Sequence, residues 1–126
     1  MAVGQTRRTL LSLNRVELFA PACVGDELVK HAPRIARRAG LSTEVVLSLI
    51  EDLLSRVSIV QPQGYRGYLN KASSLAERAG ALGDEDYIAL ALALDAPIWT
   101  LDKDFGRIAG IRTINRVGVE ALERGR

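Results

Sequence analysis

Residues 84–108 read "DEDYIALALALDAPIWTLDKDFGRI": three acids, a run of alternating alanine and leucine, a short apolar stretch around Trp99, and then Asp102 and Asp104 on either side of Lys103. Strict alternation is compatible with a strand. The run is long, however, and is built from two strong helix formers with Asp84 as a natural N-cap, so it predicts a helix. That helix is apolar on nearly every side from Tyr87 to Leu94, as a buried one must be. Its alanines let it lie close against a sheet. Asp95-Ala96-Pro97 then turns the chain into a strand, "PIWTL", which finishes on carboxylates.

Working outward, helices and strands alternate along the whole chain. Leu10, Leu11 and Leu13 place a short helix in residues 5–14, and residues 16–21 read as a strand stopped by Pro21. From Val24 to Ala39 the apolar positions recur at helical spacing, with a kink or break expected at Pro33 and an end at Gly40. Ser42 is the expected N-cap of a second helix whose buried stripe is Val46, Ile50, Leu53, Leu54 and Val57. Residues 57–62 form the next strand, and Tyr65 to Ala79 again trace one helical face. A strand at 111–115 and a short helix through Val119 and Leu122 complete the pattern. Strands joined by helices of this length imply a parallel sheet covered by helices, since each return crossover needs one.

With 126 residues the chain reads as one domain, 1–126. Apolar residues make up 48% and charged residues 25%, which excludes a disordered chain. No apolar run approaches the ~20 residues that span a bilayer, and the start lacks the layout of a signal peptide. A cytoplasmic location and no membrane partner are therefore expected. One cysteine, Cys23, and one histidine, His31, exclude an internal disulfide and a Cys/His zinc site. Cys23 reads as a small buried filler, and Trp99 and the tyrosines as core or boundary packing.

A parallel sheet collects the carboxyl ends of its strands along one edge, where ligand crevices form. Asp102 ends one strand, Glu27 lies early in the helix after strand 16–21, and Asp84 opens the helix that feeds the strand ending at Asp102. These three acids converge at that edge, with Asp104 near enough to join them. Carboxylates so placed raise one another's pKa unless a cation compensates. Oxygen ligands of this kind suit Mg²⁺ or Mn²⁺, which can activate a water against a phosphodiester.

The same residues carry a resemblance. "DEDYIALALALDAPIWTLDKDFGRI", with "VELFAPACVGDELVKH" and "LLSRVSIVQP" upstream, resembles the PIN domain family of metal-dependent ribonucleases, which includes toxins of toxin–antitoxin pairs. The resemblance implies a three-layer α/β/α sandwich with a central parallel sheet, Mg²⁺ or Mn²⁺ in an acidic pocket, and cleavage of single-stranded RNA. It also implies a homodimer and an antitoxin protein as partners. Glu27 matches the family's helix glutamate, Asp84 the aspartate opening the Ala/Leu helix, and Asp102 the aspartate ending the next strand. Asp104 matches an additional acid and Thr100 a hydroxyl position beside it. Asp84, Asp102 and Glu27 are thus the expected catalytic residues and, with Asp104, the expected metal ligands. Thr100, Lys103, Arg7 and Arg8 are expected to face the RNA. The family normally opens with a hydrophobic strand and an L-D-T-N-like motif; here no acid precedes Glu17, so that first strand is expected to be missing.

Other readings stand beside these. Asp84, Glu85 and Asp86 can simply offset a helix dipole, as Glu27 can in its own first turn, and Asp102 or Asp104 can cap the turn at 103–108. A catalytically silent module that binds RNA or protein fits the missing first aspartate. "LDKDF" also suits a haloacid-dehalogenase-type phosphatase, although that motif belongs near the start of its fold.

Overall fold

The computed structural model describes residues 8–100 and 106–125. Four short strands and five helices alternate along them: β1 (Phe19–Pro21), α1 (Cys23–Ala39), α2 (Thr43–Leu54), β2 (Ser58–Val60), α3 (Leu69–Ala79), α4 (Glu85–Leu94), β3 (Ile98–Trp99), β4 (Thr113–Ile114) and α5 (Arg116–Glu123). A helical turn at 8–11 precedes β1. No helix among the described residues is long and apolar enough to cross a membrane.

The β1-to-β2 crossover is a helical hairpin. Helix α1 stops at Gly40, whose φ of 69° is the left-handed conformation that glycine adopts without a Cβ penalty. Ser42 then caps α2 as its position foretells, its side chain accepting the N–H of Val45 at 3.2 Å. Ala32 and Ala36 of α1 pack on Val46 and Ile50 of α2. Helix α1 runs without interruption through Pro33, contrary to the expected break. Pro33 lies on the exposed face, so the Val29 carbonyl that loses its helical donor is left to solvent, where Val29 is 53% exposed.

The stretch expected as one helix from Tyr65 divides. Two 3₁₀ turns, Pro62–Gly64 and Arg66–Tyr68, come before α3. A Cβ at Gly64 would stand 2.6 Å from the Val60 side chain, so this tight return off β2 requires glycine. The two turns drop Tyr65 into the core, 1% exposed, with Ala72 and Ala76 of α3 and Ile88, Ala89 and Leu90 of α4. Helix α4 is buried all round at Ile88–Ala91, as the alanine/leucine run predicts.

Both strand pairs are parallel. β1 pairs β2 with Phe19 opposite Ser58, and β3 pairs β4 with Ile98 opposite Thr113. The fold is therefore α/β with helical crossovers, as expected. Among the described residues the strands form two separate two-stranded sheets, β1-β2 and β3-β4, where a single central sheet was expected. A groove floored by α4 lies between β1 and β3, so their facing edges do not pair.

Helix α5 clamps the N-terminal segment. The Glu123 carboxylate accepts the backbone N–H groups of Asn14, Arg15 and Val16, and Glu120 accepts the Thr9 hydroxyl at 2.9 Å and the Arg116 guanidinium at 3.0 Å. The N–H donors hold the Glu123 carboxyl below its usual range, and the Thr9 hydroxyl, helped by Arg116, does the same for Glu120. Both groups titrate lower when folded than unfolded. The stabilisation they give is complete above the unfolded value, about 4.3, and is lost as pH falls through the folded values. Glu123→Gln is expected to lower the thermal midpoint at neutral pH, and its deficit to close as pH drops below about 4.3; melting curves of both proteins across pH check this.

Candidate functional site

The first turn of α1 and the first turn of α4 face each other, and their polar side chains form one cluster. Tyr87, at the third position of α4, donates its hydroxyl to Glu27 Oε2 of α1 at 3.0 Å. Tyr65 donates its hydroxyl to Asp86 Oδ2 at 2.8 Å. The Cys23 thiol, which opens α1, is also hydrogen-bonded to Asp86. Carboxylates 59 residues apart in sequence, Glu27 and Asp86, thereby act on the same thiol.

The titration of these groups reports how closely the charges gather. Burial pushes the Cys23 thiol up to about 11, and the charges of Asp86 and Glu27 reinforce it. Burial, with the Asp86 hydrogen bond behind it, pushes Tyr65 up to about 12. Tyr87 is raised as well, first by burial, then by its bond to Glu27 and by the charges of Glu27 and Asp84. Cys23 therefore stays a protonated thiol at neutral pH and is no nucleophile. Both phenols remain donors that hold carboxylates in place.

The acids at the start of α4 have different tasks. Glu85 takes the capping role, its carboxylate accepting the Gly83 N–H at 3.0 and 3.1 Å. Asp86 is held by Tyr65. Asp84 occupies the N-cap position without a side-chain capping bond, and its charge is felt at Tyr87. Dipole compensation and capping thus account for Glu85 more than for Asp84.

Of the expected site residues, the structure brings Glu27 and Asp84 to one cluster through Tyr87. Thr100 is half-buried at the end of β3, where its N–H donates to the Ile114 carbonyl at 3.3 Å. Arg8 is exposed beside Thr9, Ser12, Arg116 and Glu120, on the surface formed with α5. Asp102, Lys103, Asp104 and Arg7 lie outside the described residues. Among the described residues no three His, Cys, Asp or Glu side chains are grouped to hold a metal ion. The oxygen chemistry of Glu27, Asp84 and Asp86 suits Mg²⁺ or Mn²⁺, but these residues alone do not complete a ligand set.

Sequence reasoning missed Asp86, Tyr65, Tyr87 and Cys23. A signal was present for the tyrosines: a phenol that is buried needs a partner, and acids 84 to 86 directly precede Tyr87.

A family model of the PIN domain matches residues 1–122. The chain belongs to the PIN domain family. No curated protein and no solved structure matched it. Membership in a nuclease-type family places the facing turns of α1 and α4 where a PIN domain draws its acids, and it fits the parallel pairing of both sheets.

Proposed function

We propose that this PIN domain is a Mg²⁺- or Mn²⁺-dependent endoribonuclease that cleaves single-stranded RNA. The observation that supports it is the meeting of Glu27 and Asp84 around Tyr87, from helices on separate crossovers. In this reading Asp84 and Asp102 are the principal ligands, with Glu27 and Asp104 assisting. When bound, the ion supplies charge stabilisation at the attacked phosphate and a water acidic enough to attack. The chain's own residues do the positioning. Tyr87 fixes one oxygen of Glu27, leaving the other for the ion or its waters. Tyr65, buried and rigid, holds Asp86 as a further charge behind the pocket. Thr100 and Lys103 stand beside Asp102 in sequence and are assigned to the RNA backbone. Arg8, with Arg7 before it, contacts RNA that extends past the pocket toward α5. The cytoplasm, a homodimer and an antitoxin protein are the setting and partners this reading carries.

The test is cleavage of a fluorescently labelled single-stranded RNA. Activity is expected with Mn²⁺, to be abolished by EDTA and restored by adding the ion back; metal-insensitive cleavage would sink the proposal. Tyr87→Phe removes only the hydroxyl that orients Glu27, and such outer contacts are worth roughly 10–100-fold in metal affinity. Its Mn²⁺ requirement is expected to rise by that factor, with activity recovered at saturating metal.

A second reading, a silent module that binds RNA or protein, is favoured by the absence of a three-acid group among the described residues. RNA binding without cleavage at any Mn²⁺ concentration would select it.

A further inference from the structure

The two half-sheets are separated by a groove of about 280 Å³ running between β1 and β3 over α4. Its long sides are backbone. Leu18 accepts the Ser58 N–H and Ala22 donates to Val60, so the alternate residues of β1 face β2. Phe19 and Pro21 therefore turn their backbone groups the other way. On the opposite side, Ile98 and Thr100 donate to the carbonyls of Arg112 and Ile114 on β4, which turns the groups of Pro97 and Trp99 outward from that pair. Neither edge pairs with a strand among the described residues. Phe19 and Trp99 each offer an N–H and a carbonyl, and Pro21 and Pro97 a carbonyl alone. Two acceptor-rich strand edges thus face each other across a floor that includes Leu90 and Leu94.

We infer that this groove is an acceptor for an extended strand from a separate polypeptide, which joins the two half-sheets into one. The occupant is apolar and free of proline, and its N–H groups supply the donors both edges lack. Three observations on the groove favour this occupant. A sheet edge selects an extended backbone, as in other strand-addition complexes. Phe19 and Leu94 are 43% and 42% exposed, large apolar side chains that an incoming strand would cover. Glu17 is the one charged residue in the described lining, which holds no lysine or arginine, so a phosphate backbone finds no cation there. The inference stands apart from the metal pocket and does not depend on it.

Trp99, the single tryptophan, lies in the groove and reports on its occupancy. The probe is the acetylated, amidated pentapeptide Thr-Ile-Val-Val-Thr, long enough to cover the three residues of β1. A saturable blue shift of Trp99 emission is expected. N-methylation of the peptide's alternate amides removes donors and is expected to weaken binding roughly tenfold or more. Phe19→Asp and Leu94→Asp are each expected to weaken it similarly, with circular dichroism and the thermal midpoint checking that the fold survives. Absence of a saturable shift overturns the inference, as does equal binding of the N-methylated peptide. Sedimentation showing a dimer whose formation shields Trp99 from quenching would assign the groove to a second copy and overturn it too.

Discussion

Asp84→Asn is expected to abolish metal-dependent RNA cleavage, by roughly 10²–10³-fold, while leaving the fold intact. The substitution keeps size and hydrogen-bonding capacity and removes a charge. The fold should tolerate this because the capping role at the start of α4 belongs to Glu85, which holds the Gly83 N–H, and Asp84 makes no side-chain capping bond. The remaining tie of Asp84 to the helix is through its backbone, where its carbonyl accepts the Ile88 N–H at 3.1 Å. The pocket should not tolerate it, because a hard divalent cation needs anionic oxygen. Glu85→Gln is the control, expected to leave cleavage near the parent level. Cleavage assays at several Mn²⁺ concentrations separate weakened binding from lost chemistry. Retained activity in Asp84→Asn would remove Asp84 from the ligand set. It would turn attention to Asp86, which the same cluster holds against Cys23 and Tyr65.

How far such a site can be read from the chain depends on the range over which its causes act. Ser42, Gly40 and Gly80 were legible because a cap or a left-handed stop is decided within one turn. Helix α4 was legible because its composition forces both its type and its burial. The strands were legible in position and too long in extent: residues 16–21 shrink to Phe19–Pro21 and 57–62 to Ser58–Val60. An apolar run reports burial, whereas a strand also requires a partner. Val16 instead gives its N–H to Glu123, over a hundred residues away, which no local pattern announces. The left-handed Asp95 that ends α4, with φ of 50°, was read only as a turn; Arg112 holds its carbonyl at 2.7 Å from a distant segment. Within the site, the pairing of Glu27 with Asp84 followed from topology alone. The bonds Tyr87 to Glu27 and Tyr65 to Asp86 did not, since they depend on where the two 3₁₀ turns drop Tyr65 and how α1 leans on α4. The discontinuity between β1 and β3 was half legible, because an expected strand was missing there.

Ile88→Ala is expected to destabilise the protein more than any surface change, by roughly 3–5 kcal/mol, the upper part of the range for such truncations. Ile88 is fully buried in the cluster that joins α3 and α4. Its cluster neighbours Ala72, Ala76 and Ala89 are themselves 0% exposed and carry one methyl each, so they have no side chain able to swing into the vacated space. The cavity therefore persists, and its cost adds to the lost burial. Ile88→Val, which removes one methyl group, should cost only about 0.5–1.5 kcal/mol. Urea unfolding of the three proteins, with unchanged slopes, measures the series. The position lies one residue after Tyr87, on the helix that carries Asp84 and Asp86, so the same experiment asks whether the pocket needs a rigid floor. If α4 merely supports the acids, Ile88→Ala should cleave RNA at near-parent rates per folded molecule at low temperature and lose activity in step with its melting. A loss of cleavage well below the melting transition would mean that the core under Ile88 sets the geometry of Tyr87 and Glu27 directly.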